Sequence, residues 1–440
     1  MPKKFWLPLL LVGLAAVIAI PSVIELTTRQ TPASAPALVR PDAAAALPVW
    51  QDKPPQAAAP SAPAASLPAT DAATAPEAAL QEIFSAIEAH QLGRALQLTE
   101  TLIERHPNYR LAHLIKGDLL LARTHPLSHF GAAPGAASEK IADLRAEALR
   151  RLQAYREKPA TDQIPRYLLQ MRPEQRYAVI VDTQRSRLYL YENDAAGGQP
   201  RFVADYYVSQ GKLGADKFYE GDKKTPLGVY HVTADLSRQK LPDLYGSGAF
   251  PINFPNEWDR RRGRGGSGIW LHGTQSDTFA RPPLASDGCV VLTNQDLDAV
   301  RGYLQVGLTP VIISPQLEWL SPETWAQERE EFARTLETWR SDWESRDTER
   351  YLTHYSKQFS ADGQDFSRFA AQKRQVNAGK NWIKVKLDKI SFFRNPGAEE
   401  VIVVSFEQDY RSNNLDNRMK KRQYWVREGA QWKIIYEGAA

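Results

Sequence analysis

A chain of 440 residues is too long for one ordinary domain, and two or three are expected. Hydrophobic residues make up 43% of it, enough for real cores. A formal net charge of +4 would suit an anionic polymer or surface but is far too weak to argue for nucleic acid, so no nucleic-acid partner is expected.

The first 26 residues read as an export element. Lys3 and Lys4 precede an uncharged run from Phe5 to Ile24, about the length that spans a bilayer as a helix, with the positive flank left in the cytoplasm. No small-x-small cleavage site closes the run, where Ile18-Ala19-Ile20-Pro21 sits, so 1–26 is read as a signal anchor in the inner membrane, with a cleavable signal peptide as the alternative. Either reading puts the bulk of the chain in the periplasm or cell envelope. Residues 27–76 are dominated by Ala and Pro and should form a disordered linker with a reach on the order of 40 Å.

From 77 to 158 the apolar period turns helical, as in "EAALQEIFSAIEAHQLGRALQLTETLIERHPNYRLAHLIKGDLLLAR". Gly93 is expected to separate the first two helices and "HPNY" at 106–109 the second from the third. The pattern resembles a tetratricopeptide unit. Little more than one unit is present where about three are needed, so a small helical cap packed on its neighbour is expected rather than a free peptide-binding array. A further helix around Ser138 to Tyr155 follows the "GAAPGAA" loop.

Between 176 and 315 short strands take over. "YAVIVDTQRSRLYLYEN" reads as a hairpin, followed by "RFVADYYVS", "GVYHVTA", "SGIWLHG", "GCVVLT" and "TPVIIS", densely punctuated by Gly and Pro. This predicts a mostly β domain. Residues 322–440 open with a long Trp-, Glu- and Arg-rich helix and continue into three long antiparallel strands, a small α+β cone. The whole is a multidomain chain: membrane anchor and disordered linker, helical cap, mostly β domain and C-terminal cone.

Cys289 is the only cysteine, in a compartment where cysteines usually pair. It is either a buried apolar thiol or a nucleophile kept single. A nucleophile needs a base, since a free thiol has a pKa of about 8.5. Among eight histidines, His272 stands at the end of the strand "GIWLHGT", 17 positions before Cys289, and the loop between them is long enough to fold the two strands beside each other. A solvated strand-end histidine is the bland alternative. No HExxH-type spacing is present, and neither a metal nor a cofactor is expected.

"HGT…SDGC", with "GDKKTPLGVYHV" upstream and the "VIVDTQRSRLYLY" hairpin, resembles the L,D-transpeptidase family with its YkuD-type catalytic domain, over 176–315. The resemblance implies a β-sandwich-like fold and no cofactor. Cys289 is implied as nucleophile, His272 as base and the Gly273 carbonyl as its ordering partner. Ser286 and Gly288 are implied in the loop that presents the thiol and builds the oxyanion site. The implied activity is a peptidoglycan L,D-transpeptidase, cleaving the bond between the L-centre and D-Ala of a tetrapeptide stem and passing the acyl group to an amine. Val291 stands where the family's S-x-G-C-x-R pattern has arginine, which puts cross-linking in doubt. With the C-terminal cone, which resembles the nuclear transport factor 2-like fold, this points towards a cell-shape subfamily with implied L,D-carboxypeptidase activity. A catalytically idle peptidoglycan-binding scaffold is the third reading.

Arg264, Thr274 and Asp287 are candidate substrate contacts, and Arg260, Arg261 and Arg262 form either a mobile lid or a solvated loop. Trp325, Trp339 and Trp343 are expected in the core. Trp382, Trp425 and Trp432 line either the core or a sugar-stacking pocket, and "RMKKR" at 418–422 reads as a solvated hairpin edge. Expected partners are peptidoglycan stem peptides and glycan, the inner membrane, and a second copy through the cone domain.

Overall fold

The structure is a computed structural model. It describes residues 76–440 apart from 128, 133–137, 161, 195 and 362. The anchor at 1–26, the linker up to residue 75 and most of the "GAAPGAA" loop lie outside the described residues. Among the described residues no helix is long and apolar enough to cross a membrane.

Four helices come first: α1 (Pro76–Glu88), α2 (Leu92–Arg105), α3 (Arg110–Leu121) and α4 (Ser138–Arg156). Leu80, Ile83, Leu96, Leu102, Leu111 and Ile115 recur at helical spacing and share one buried core. Gly93 does not make the first break. It lies inside α2, and the chain turns at His90, whose φ is +58°. A single glycine costs a helix only about 1 kcal/mol, so the break falls where the apolar stripe must change direction.

The helical cap is packed on the β domain. Phe279 leaves that domain and enters the cap's core, with its ring centroid 4.3 Å from Tyr109 and 4.8 Å from His106. Below it, Glu77 of α1 pairs with both Arg151 of α4 and Arg187 of the β domain. Arg151 also pairs with Glu147, and Arg187 with Asp205. Both guanidinium groups are buried, and Arg151 lies 3.9 Å above the Tyr207 ring.

The β domain is built on a five-stranded sheet in the order Arg201–Tyr207, Arg187–Glu192, Tyr177–Asp182, Pro310–Ser314, Gly228–His231. Its first two strands in sequence form the expected hairpin, and Pro310–Ser314 runs parallel to Tyr177–Asp182. One face, through Val179, Val181, Leu188 and Leu190, packs on a smaller sheet through Phe250, Leu271, Val290 and Leu292. The other face, through Ala178, Ile180, Tyr189 and Tyr191, packs on the C-terminal domain through Phe393, Val403, Tyr424 and Ile435. The central strands are buried on both sides, which is why they read as near-continuous apolar runs.

The C-terminal domain begins with the helix Pro322–Ser345, capped by the Ser321 side chain and stopped at Arg346, whose φ is +66°. Four antiparallel strands follow, not three: Ile383–Asn395, Val401–Ser412, Leu415–Glu428 and Gln431–Ala439. The third apolar run in the sequence is a hairpin, turned at Gly429 with φ +60°. Trp339, Trp343, Trp425 and Trp432 fill the cone with Phe332, Tyr351 and Tyr355, whereas Trp382 is exposed.

The "RMKKR" stretch is a solvated edge only at its start, where Arg418 and Lys420 are exposed and the strand is paired on one side. It lies within the third strand, where Lys421 pairs with the buried Glu437 and Arg422 reaches Glu257 of the β domain at 3.0 Å. Trp258 stacks on Tyr424 at 5.2 Å, adding about 1 kcal/mol beyond its area burial.

Glu77→Ala leaves Arg151 and Arg187 buried with less compensation, and a loss of about 3 kcal/mol is expected, read as a lower midpoint for cap unfolding. The two guanidinium groups hold the Glu77 carboxyl below its ordinary value of 4.5 against the opposing effect of burial. Its contribution should be complete above about pH 4.5 and lost as pH falls through the lowered folded value.

Candidate active site

The strand Trp270–His272 pairs in parallel with Val290–Val291, in the register Leu271 to Val290 and His272 to Val291. Leu271 and Val290 point into the core. His272 and Val291 therefore share the opposite face, and alternation carries that face back two residues to Cys289. Cys289 and His272 both line a cleft of about 780 Å³, together with Ser286, Asp287, Lys212, Tyr245, Arg281 and Arg110 of α3.

Two local devices hold the thiol. Gly288 has φ +131°, and a Cβ there would sit 2.7 Å from the Lys224 carbonyl oxygen, so only glycine fits. Thr225 hydroxyl donates to the Gly288 carbonyl at 2.9 Å and accepts from the Gly211 amide at 3.0 Å. Ser286 hydroxyl donates to the Cys289 carbonyl at 2.6 Å and accepts from the Gly288 amide at 3.1 Å. The Gly288 amide is thus already engaged, and Gly288 serves the loop by its backbone shape.

The imidazole is held with equal care. His272 Nδ1 lies 2.7 Å from the Gly273 carbonyl oxygen. A carbonyl can only accept, so Nδ1 carries the proton and Nε2 is left with its lone pair. The Tyr245 ring meets the imidazole edge-on at 5.1 Å. Asn294 locks the segment behind it: its Oδ1 accepts from the amides of Ser247 at 2.9 Å and Thr274 at 3.1 Å, and its Nδ2 donates to the Thr274 carbonyl at 2.9 Å. A Cβ on Gly273 would lie 2.1 Å from Asn294 Oδ1, so this clamp requires the glycine.

At neutral pH the thiol and the imidazole are both uncharged. Burial pushes the thiol up to about 11, against the Trp270 amide and the Arg281 charge, which favour the thiolate. Burial brings His272 down to about 4, only partly offset by the Gly273 hydrogen bond. The thiol donates to the Gly268 carbonyl at 3.4 Å. The cleft thus holds a neutral thiol and a neutral imidazole.

The other expected contacts separate. Asp287 lines the cleft and pairs with Lys212 at 3.2 Å. Thr274 is buried behind His272, its hydroxyl donating to the Phe279 carbonyl at 3.3 Å, and it does not line the cleft. Arg264 does not line it either: its guanidinium pairs with Asp216 and donates to the Lys217 carbonyl, because the flexible glycines around it turn the loop away. Arg261 donates to Ser360 and the Gln358 carbonyl, and Arg262 pairs with Glu399, so both bind the C-terminal domain and form no lid. Arg281, Lys212, Tyr245, Arg110 and Asn294 escaped sequence reasoning. Only Asn294 left a local trace, as the residue after the helix cap Thr293.

Two family models match this chain. An L,D-transpeptidase catalytic domain covers 176–313, and a Cds6 C-terminal NTF2-like domain covers 331–438. Among solved structures, Bd1075 of Bdellovibrio bacteriovorus is 31% identical with a TM-score of 0.56, across 63% of this chain and 98% of that one. The chain belongs to the L,D-transpeptidase family with a YkuD-type catalytic domain. The helical cell shape determining protein Pgp2 of Campylobacter jejuni, 24% identical with a TM-score of 0.53 over 66% of this chain and 99% of that one, shares the fold. The putative L,D-transpeptidase YafK of Escherichia coli K12 is 33% identical over 124 residues, 27% of this chain. The matched part spans 45% of that relative's length.

Gly288→Ala should cut turnover at least 100-fold while the circular dichroism spectrum stays unchanged, because the clash and strain fall on the thiol-bearing loop alone. The neutral pair has a kinetic signature. Iodoacetamide alkylation of Cys289 should keep rising with pH towards about 11, and a plateau near pH 8 would contradict the raised thiol. The acid limb of kcat/KM should fall near pH 4, where His272 becomes protonated, rather than near 6.5.

Proposed function

We propose that this protein is a cysteine-dependent peptidoglycan L,D-transpeptidase acting in the cell envelope on tetrapeptide stems. The observation that carries this reading is the common face of His272 and Cys289 at the floor of one cleft. As the thiol attacks the carbonyl of the L-centre, its proton passes to His272 Nε2. The C–S bond forms and the carbonyl oxygen becomes an oxyanion. With the Gly288 amide engaged by Ser286, the Cys289 amide is the loop's remaining oxyanion donor. Collapse breaks the C–N bond, and the imidazolium returns the proton to the departing D-Ala amine. The resulting thioester is then attacked by a stem-peptide amine, which gives its proton to His272, and the Cys289 thiol is restored. All steps use groups of this chain, and the partner is the peptidoglycan stem.

A second acceptor is favoured by one observation. Val291 lies beside His272 in the strand register, at the position of the family's arginine, and is buried. Without a cation there, an incoming anionic stem has less to hold it, and water would take its place to give a tripeptide, an L,D-carboxypeptidase outcome.

Incubation with disaccharide-tetrapeptide, followed by mass spectrometry of the products, decides between them. A cross-linked dimer that disappears in Cys289→Ala is the expected transpeptidase result. Tripeptide and free D-Ala without dimer would move the assignment to the carboxypeptidase. No Cys289-dependent product would favour a binding scaffold.

A further inference from the structure

Arg281 is a cation beside the nucleophile with no acid of its own. It lines the cleft with Cys289 and His272 and is only half-exposed. Among the described residues no carboxylate lies within ion-pair distance of it. The cleft's Asp287 is paired with Lys212 at 3.2 Å. The side chain of Arg281 donates once, from Nη2 to the Leu244 carbonyl at 3.1 Å, which fixes the guanidinium and leaves its other N–H groups unassigned. Arg261, Arg262 and Arg264, by contrast, are all engaged elsewhere.

The helical cap and the β domain hold the loop of this arginine from two sides. Two residues before it, Phe279 is clamped by Tyr109 and His106. The Arg281 carbonyl accepts from Tyr207 hydroxyl at 3.0 Å, and the Tyr207 ring is covered by Arg151 of α4 at 3.9 Å. The loop that carries Arg281 is therefore docked on the cap through the Phe279 ring and tied to the β domain through the Tyr207 hydroxyl.

We propose that Arg281 is the receptor for the free α-carboxylate of the D-residue that leaves, and that the helical cap positions it. This rests on the stem-peptide reading above. When the scissile bond is the last in the peptide, the α-carboxylate lies two bonds from the scissile nitrogen, within about 4 Å of it. Its receptor must then stand next to the nucleophile. A planar guanidinium donates two parallel hydrogen bonds to such a group. A stem extended or amidated at this end offers no carboxylate, so Arg281 makes the cleft read a chain end, whichever acceptor follows.

The full chain carrying Cys289→Ala allows binding to be measured without turnover. It is titrated by calorimetry with disaccharide-tetrapeptide and with the same compound bearing a C-terminal carboxamide. The free acid should bind about 10- to 100-fold more tightly, the range of a charge-assisted pair. Adding Arg281→Ala should abolish that preference and leave carboxamide affinity unchanged, whereas Arg281→Lys should retain part of it. Phe279→Ala should reduce the preference in the same way if the cap positions the arginine. Equal affinity for acid and carboxamide, or equal weakening of both by Arg281→Ala, overturns the proposal. Product formation by the Cys289 form is read separately: an acid preference without any Cys289-dependent product would overturn the enzyme reading and leave the carboxylate receptor standing.

Discussion

The register of two short parallel strands governs the site. Leu271 opposite Val290 and His272 opposite Val291 put the first pair of side chains into the core and leave His272 lining the cleft. A slip of one residue would turn the imidazole into the apolar core and Leu271 towards the cleft. The register is fixed because Phe250, Leu271, Val290 and Leu292 fill the space above the five-stranded sheet. Gly288 and Gly273 then make the backbone turns that no other residue could make at those contacts. The chemistry is thus a consequence of apolar packing one layer below it.

The same sheet ties three parts of the described chain together. Its inner face supports the active-site strands, its outer face is covered by the C-terminal sheet, and Arg187 at its second strand joins the network around Glu77. Arginines that look like substrate contacts in the sequence serve these joints instead. Arg261, Arg262 and Arg422 all link the β domain to the cone. The cationic groups that line the cleft are Arg281, Lys212, Lys217 and Arg110, and they come from three separate stretches of the chain.

That separation explains what was legible in advance. The hairpin, the strand carrying His272 and the helix from Pro322 follow local periodicity and were readable as such. Cys289 and His272 were visible because one is a solitary thiol, the other ends a strand, and the family pattern spans both. The orientation of Arg264 was not, since a glycine-rich loop has no periodicity to say which way it turns. The hairpin at Gly429 was missed because its two strands run together as one apolar stretch. Asn294 and Arg281 act across gaps of 20 and 74 residues, on Thr274 and Tyr207, and no local pattern records such a meeting.

The neutral thiol–imidazole pair becomes a covalent catalyst only if the substrate's acyl group is passed to sulfur. The most direct measurement is therefore intact-protein mass spectrometry after acid quenching of a reaction with disaccharide-tetrapeptide, with the modified peptide mapped. The expected result is an adduct equal to the substrate minus D-Ala on the peptide containing Cys289, with greatly reduced formation in His272→Ala. Product formation by Cys289→Ala, without any adduct in the parent protein, would contradict nucleophilic catalysis at this site.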